Sequence, residues 1–278
     1  MLSQIRQDKK LLFGILGFGS GALGALVAEI IPHQKDTYFS LILFTGIWAA
    51  LAAMVIAIGL FWAIRVYNRR QTDVWGLLKK AVPSGFIAGA ASGGIAQAIF
   101  GLTQFPNVWI QFIFQAGCWG IWGCILGWSL SYSIPNMGSK RALVAGAIGG
   151  FIGGIGFLIS GIFITETLGR MFGIGILGAA LGLSLIIVEE RYRSAYLEVH
   201  WAPNESSKFT LGSIPIFIGG GGEDDIFVYG IPHHAMSIWL ERGKVKGTYH
   251  VTGEHKELHD GSPIKLGKVE IIVRVKSR

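Results

Sequence analysis

The chain has 278 residues, 51% of them hydrophobic and only 15% charged, with 41 glycines and two cysteines. That balance excludes an ordinary soluble globule and a disordered tail, and it predicts a chain embedded at least partly in a membrane. The net charge of +7 belongs to residues 1–188, which hold 12 Lys/Arg against 5 Asp/Glu, whereas residues 189–278 hold 12 of each. The excess sits in short stretches beside apolar segments, so it reads as membrane orientation and not as a nucleic-acid surface.

Six apolar segments follow in order, at about 11–31, 39–64, 82–102, 108–132, 142–164 and 171–188. Each comes close to the ~20 residues that cross ~30 Å of hydrocarbon. The expected fold of residues 1–188 is therefore an all-α transmembrane bundle of six helices. Arg6, Lys9, Lys10, Arg65, Arg69, Arg70, Lys79, Lys80, Lys140, Arg141, Arg191 and Arg193 fall on one side of these spans, against Lys35 and Arg170 on the other. The side rich in Lys and Arg is the cytoplasmic one, which predicts a multi-pass plasma-membrane protein, in a bacterium the inner membrane, with both termini inside.

Glycine repeats within the spans. Gly14, Gly17, Gly21 and Gly24 have the same offsets as Gly146, Gly149, Gly153 and Gly156, and a degraded copy runs Phe86, Gly89, Gly93, Ala96. Small residues three and four apart let helix backbones approach closely in lipid. Segments 2 and 4 share a second pattern, Gly46, Trp48, Ala49, Ala52 against Gly117, Trp119, Gly120, Gly123, which suggests an internal repeat of three helical hairpins. Polar residues inside the spans are few. Gln97, Gln111 and Gln115 form a possible polar lining, Gln111 and Gln115 one helical turn apart, and Glu29 stands at the outer end of segment 1. Trp62, Tyr67, Trp75, Trp109, Trp128 and Tyr132 are placed as interfacial aromatics would be. Cys118 and Cys124, six apart on one helix, face opposite sides, so neither a mutual disulfide nor a shared metal is expected.

From Glu189 the composition changes, and residues 189–278 are expected to form one small cytoplasmic domain. Short runs rich in Ile, Val, Phe and Tyr (AYLEVHW, KFTL, SIPIFI, DIFV, AMSIWL, TYHV, SPIKL, KVEIIVRV) are separated by Gly, Asp and Pro clusters. This is the pattern of an antiparallel β-sandwich. In the last run Val269, Ile271 and Val273 alternate with Glu270, Ile272 and Arg274, as one buried strand face requires.

Ile218-Gly219, Asp225-Ile226, His234-Ala235 and the run Leu258 to Gly267 carry a resemblance to the forkhead-associated (FHA) family, over about residues 196–276. The resemblance implies a degenerate FHA-like protein-interaction domain, with Gly219, Gly220, Ile231, His233, His234, Lys246 and Thr248 as the positions around its phosphopeptide or protein site. Typical FHA domains bind phosphothreonine through an Arg and a Ser where this chain has Gly220 and Ile231. Lys246-Gly247-Thr248 is similar to the family's Asn-Gly-Thr loop but arrives early, and His234 corresponds to the histidine that braces the recognition turn. Gly219 to Gly222, followed by Glu223, Asp224 and Asp225, lacks the Lys and Ser/Thr of a phosphate loop and reads as flexible. His255 and His259 are four apart, a spacing that helps a metal only on a helix, so no metal site and no cofactor are expected.

The expected function is a non-enzymatic membrane adaptor or scaffold, in signalling for instance, that presents this domain at the cytoplasmic face. A channel or transporter of a small solute, regulated by the same domain, is the alternative. The partners implied are the lipid bilayer, a protein at the cytoplasmic face, phosphorylated or not, and a second copy of the chain.

Overall fold

The computed structural model describes residues 8–31, 37–69, 73–103, 105–164, 166–203 and 205–276. Arg6, Lys35 and Arg70 lie outside the described residues. Six helices, α1 (Lys9–Ala28), α2 (Tyr38–Tyr67), α3 (Val74–Leu102), α4 (Val108–Ser131), α5 (Ser139–Phe163) and α6 (Glu166–Arg191), are each long and apolar enough to cross a membrane. This is the make-up of a multi-pass membrane protein. Polar residues set several helix starts: the Asp8 carboxylate accepts from the Lys10 and Leu11 amides, Thr37 and Ser40 form a capping box, and Asn107 accepts from the Ile110 amide.

Each helix packs on the next in sequence, and α6 returns to α1, so the six close a ring. Helices α2, α4 and α6 also touch across the middle. There Ile56 and Leu60, Trp122 and Leu126, and Leu181 and Leu185 are all 0–1% exposed, which makes the core of the bundle apolar.

The glycines decide which neighbours come closest. A Cβ added at Gly17 or Gly21 of α1 would overlap the backbone of Gly178 or Ile174 in α6. Gly85 and Gly89 of α3 lie in the same way on Met54 and Ala49 of α2. Helix α5 has two such faces: Gly146 and Gly150 meet Gly123 and Trp119 of α4, while Gly149 and Gly153 meet Leu181 and Leu177 of α6. The offsets read as one stripe in the sequence thus belong to two interfaces, because residues three apart on a helix are separated by about 60°.

At the end away from the β-strands, Arg170 of α6 donates through Nε and Nη2 to both carboxylate oxygens of Glu29, at 2.6 and 3.0 Å. Glu29, placed at an outer helix end from sequence, is therefore a tie between α1 and α6.

Nine strands follow: β1 (Ala195–Ala202), β2 (Glu205–Leu211), β3 (Ile216–Gly219), β4 (Ile226–Phe227), β5 (Met236–Glu241), β6 (Lys244–Tyr249), β7 (Glu254–Leu258), β8 (Pro263–Leu266) and β9 (Val269–Val275). They form a four-stranded sheet, β2-β1-β9-β8, and a five-stranded sheet, β4-β3-β5-β6-β7, antiparallel except for the β3–β4 pair. Leu197, Val199, Ile271 and Val273 of the first sheet and Ile216, Ile218, Met236 and Ile238 of the second are fully buried in a shared core. Strand β7 has no counterpart among the expected runs, since it is an edge strand with only Leu258 of its five residues buried.

Strand β2 lies across the helix ends. Tyr67, buried at 3% exposure, accepts from the Lys208 amide at 2.7 Å and donates to the Lys208 carbonyl at 3.2 Å. It is therefore a docking residue and not an interfacial aromatic, unlike Trp75 and Trp109, which remain over 70% exposed. The Asn136 side chain, between α4 and α5, donates to the Thr210 and Ile214 carbonyls and accepts from the Ile214 amide at 3.1–3.2 Å. Glu189 joins all three parts: its carboxylate takes Lys9 Nζ of α1 at 2.6 Å and the Thr210 hydroxyl of β2 at 2.8 Å, with Arg193 Nη2 at 3.6 Å.

Candidate recognition surface at one end of the sandwich

Strand order places the β1–β2 turn, the β3–β4 and β4–β5 loops, the β6–β7 turn and the β8–β9 turn at one end of the sandwich. This end is built around Asp224, which is fully buried. Its carboxylate accepts from the Gly221 amide at 2.7 Å and from the His234 amide at 3.3 Å, and pairs closely with His234 Nδ1. Neighbouring Asp225 accepts from the Phe217 amide at 3.0 Å.

Of the four glycines expected as a flexible loop, Gly219, Gly220 and Gly221 are packed and Gly222 is open. A Cβ at Gly219 would overlap the Asp224 carboxylate, at Gly220 the Ile231 carbonyl, and at Gly221 the His233 ring. The backbone is paired as well, with the Gly220 amide on the Pro232 carbonyl at 3.0 Å and the Val228 amide on the Gly219 carbonyl at 2.8 Å. His234 takes a left-handed backbone, φ +49°, which is uncommon for a residue with a side chain. Its ring lies 4.6 Å from that of Phe217 and 3.7 Å from that of exposed His233.

A polar row continues across the outer face of the five-stranded sheet, where register aligns Phe217, Ser237, Thr248 and His255. His250 Nε2 pairs with the Ser237 hydroxyl at 2.9 Å and His255 Nδ1 with the Thr248 hydroxyl at 2.7 Å.

Gly219, Gly220, Ile231, His233 and His234 are thus brought together, with Thr248 in the adjoining row. Lys246 is not: it sits opposite Trp239 and donates to Glu241 at 2.7 Å, a contact that also holds the Glu241 carboxyl below its usual range. The two positions that the resemblance assigns to phosphate donors hold Gly220, whose amide is already used, and Ile231, which has no side-chain donor, and the carboxylate of Asp224 lies beside them, a poor setting for a phosphate dianion. Asp224, His233 and His234 have ligand atoms within 4.8 Å of one another, as a metal would need. The hydrogen bonds just described already occupy the carboxylate, so the cluster reads as a brace for the turn. Replacing Asp224 by Ala should lower stability by about 2 kcal/mol, because it strands the part-buried Gly221 and His234 amides. Hydrogen exchange of residues 219–235 in the full chain would rise sharply; unchanged protection there would contradict the bracing role.

No sequence signal pointed to the cleft beside this turn. Its volume is about 590 Å³, and its wall includes Trp201, Phe227, Tyr229 and Lys268 of the sandwich together with Arg69 from the end of α2. Tyr229 is 90% exposed. Arg69 pairs with Glu205, and its guanidinium lies 4.5 Å over the Trp201 ring. The sandwich supplies the wall from three loops far apart in sequence, and docking onto the bundle adds Arg69, more than 130 positions from Trp201.

No protein-family model matches the chain, and no curated protein matches it. Among solved structures, one from a structural and functional analysis of phosphothreonine-dependent FHA domain interactions is similar over 31% of this chain and 99% of its own. Identity is 21% and the TM-score 0.27.

Proposed function

We propose that the protein is a membrane-anchored adaptor without catalysis of its own, and that its sandwich presents the cleft around Tyr229 to a partner protein at the cytoplasmic face. The observation that carries this reading is the composite wall: Arg69 follows the end of a membrane helix and the other wall residues, Tyr229 among them, belong to the sandwich, so docking of the two completes the cleft with a cation. Exposed aromatic surface framed by cations suits an extended segment with an apolar side chain and a carboxylate, since aromatic and Arg side chains dominate binding at such surfaces. Lys268, exposed and without an ion pair among the described residues, is the cation left for that carboxylate. The apolar centre of the bundle favours an anchoring role over conduction, because a solute path needs polar lining.

A photo-cross-linking residue placed at Tyr229 of the full-length protein, in cells of its source, tests the reading. One specific protein adduct is expected at this position, lost on Lys268→Glu, and none from Arg242 at the far end of the sandwich. Equal labelling from both positions, or none from Tyr229, would overturn it.

A further inference from the structure

The helix ring is loosest between α3 and α4, and there a cavity of about 310 Å³ opens among α2, α3, α4 and α5. That volume lies at the lower end of small-molecule sites. Gln97 and Gln115 both line it, with Thr45, Trp48, Trp119 and Phe157; Gln111 stays outside its wall. At 1.5 Å per residue the two glutamines lie about 8 and 10 Å inside the helix ends, at hydrocarbon depth.

Their carboxamides are only partly satisfied by the protein. The Thr45 hydroxyl donates to the Leu41 carbonyl at 2.9 Å, which leaves no proton for its 3.4 Å contact with Gln97 Oε1. The Gln115 NH2 has no hydrogen-bond acceptor among the described residues, and the Gln97 NH2 has only the Thr45 hydroxyl oxygen, at 3.4 Å when the amide is turned toward it. Unpaired amides in lipid are strongly disfavoured, so donors aimed into a cavity mark a place for acceptor atoms. Four aromatic side chains, Trp48, Phe100, Trp119 and Phe157, share the remaining wall with small and aliphatic residues, the Trp119 and Phe157 rings 5.0 Å apart.

We propose that this cavity binds a flat, lipid-soluble molecule bearing carbonyl acceptors, the chemistry of a quinone head group. The carbonyls take the Gln97 and Gln115 NH2 groups, and the ring lies against Trp48 and Trp119. The proposal is one of binding alone, and it does not depend on the adaptor reading.

The test uses the full-length protein in lipid nanodiscs and 2,3-dimethyl-1,4-naphthoquinone, whose blocked ring positions prevent reaction with Cys118. Saturable quenching of tryptophan fluorescence is expected, mostly abolished in the Trp48→Phe/Trp119→Phe variant. Gln97→Leu/Gln115→Leu should weaken binding at least tenfold while melting no lower than the parent, since it removes unpaired amides. The carbonyl-free 2,3-dimethylnaphthalene should bind at least tenfold more weakly. Equal binding by the leucine variant or by the hydrocarbon would overturn the proposal. So would quenching of Trp48 and Trp119 by a brominated phospholipid that the quinone cannot displace, which would identify the occupant as an acyl chain.

Discussion

Replacing Glu189 by Ala should loosen the sandwich from the membrane helices and produce the largest loss of stability of any single change at the junction. The carboxylate is 2% exposed and answers two cations, Lys9 at 2.6 Å and Arg193 at 3.6 Å, as well as the Thr210 hydroxyl. Removing one partner from a buried ionic cluster leaves the remaining charges desolvated and uncompensated, an effect of roughly 3–5 kcal/mol. Because the three contacts reach α1, the start of the strand segment and β2, the loss falls on the docking of one part onto the other. Limited trypsin digestion reads this directly: cleavage after Arg193, now 7% exposed, should become rapid in Glu189→Ala and stay slow in the parent. Glu189→Gln, which keeps one of the two accepting oxygens and drops the charge, should fall between them. Parent-like digestion of the alanine variant would show that the junction is held by its other contacts, Tyr67, Asn136 and the Arg69–Glu205 pair among them.

A methyl group at Gly123 should likewise separate α4 from α5. The contact is reciprocal, since a Cβ on Gly123 would overlap the Gly146 carbonyl and one on Gly146 the Gly123 carbonyl. Both obstacles are backbone and cannot rotate away, so one helix must shift, and with it Gly127 against Ala142 and Gly150 against Trp119. Overpacking of this kind costs about 3 kcal/mol. Gly117 on the same helix has nothing within 4 Å of its added Cβ, and Gly117→Ala should be neutral or up to about 1 kcal/mol stabilising through helix propensity. Thermal unfolding of the two variants in one detergent separates packing from propensity; equal midpoints would mean that α4 and α5 are not held by close backbone contact.

Much of the fold was legible because its causes are local. Long apolar runs make helices in lipid whatever surrounds them, and the alternation of Val269, Ile271 and Val273 is set by the two-residue period of a strand. Strand β7 escaped because an exposed edge strand has no buried face to write into sequence. The site was less legible. Asp224 sits in an acidic run that resembles any solvated loop, and its burial follows from the turn that brings His234 back over it. The cleft needed Arg69 and Tyr229 side by side, and the cavity needed α3 and α4 held apart, neither of which is a property of any one segment.

Apolar runs, strand-like alternation and glycine spacing by themselves determined that this chain is six apolar helices followed by a small β-sandwich, and that its helices pack closely. Only the tertiary structure decided which helix each glycine meets, that Glu189, Tyr67 and Asn136 lock the sandwich to the bundle, and where the cleft and the cavity lie. The physical reason is range: periodicity and hydropathy act over a few residues, whereas partner choice is made by surfaces that meet only after the chain has folded.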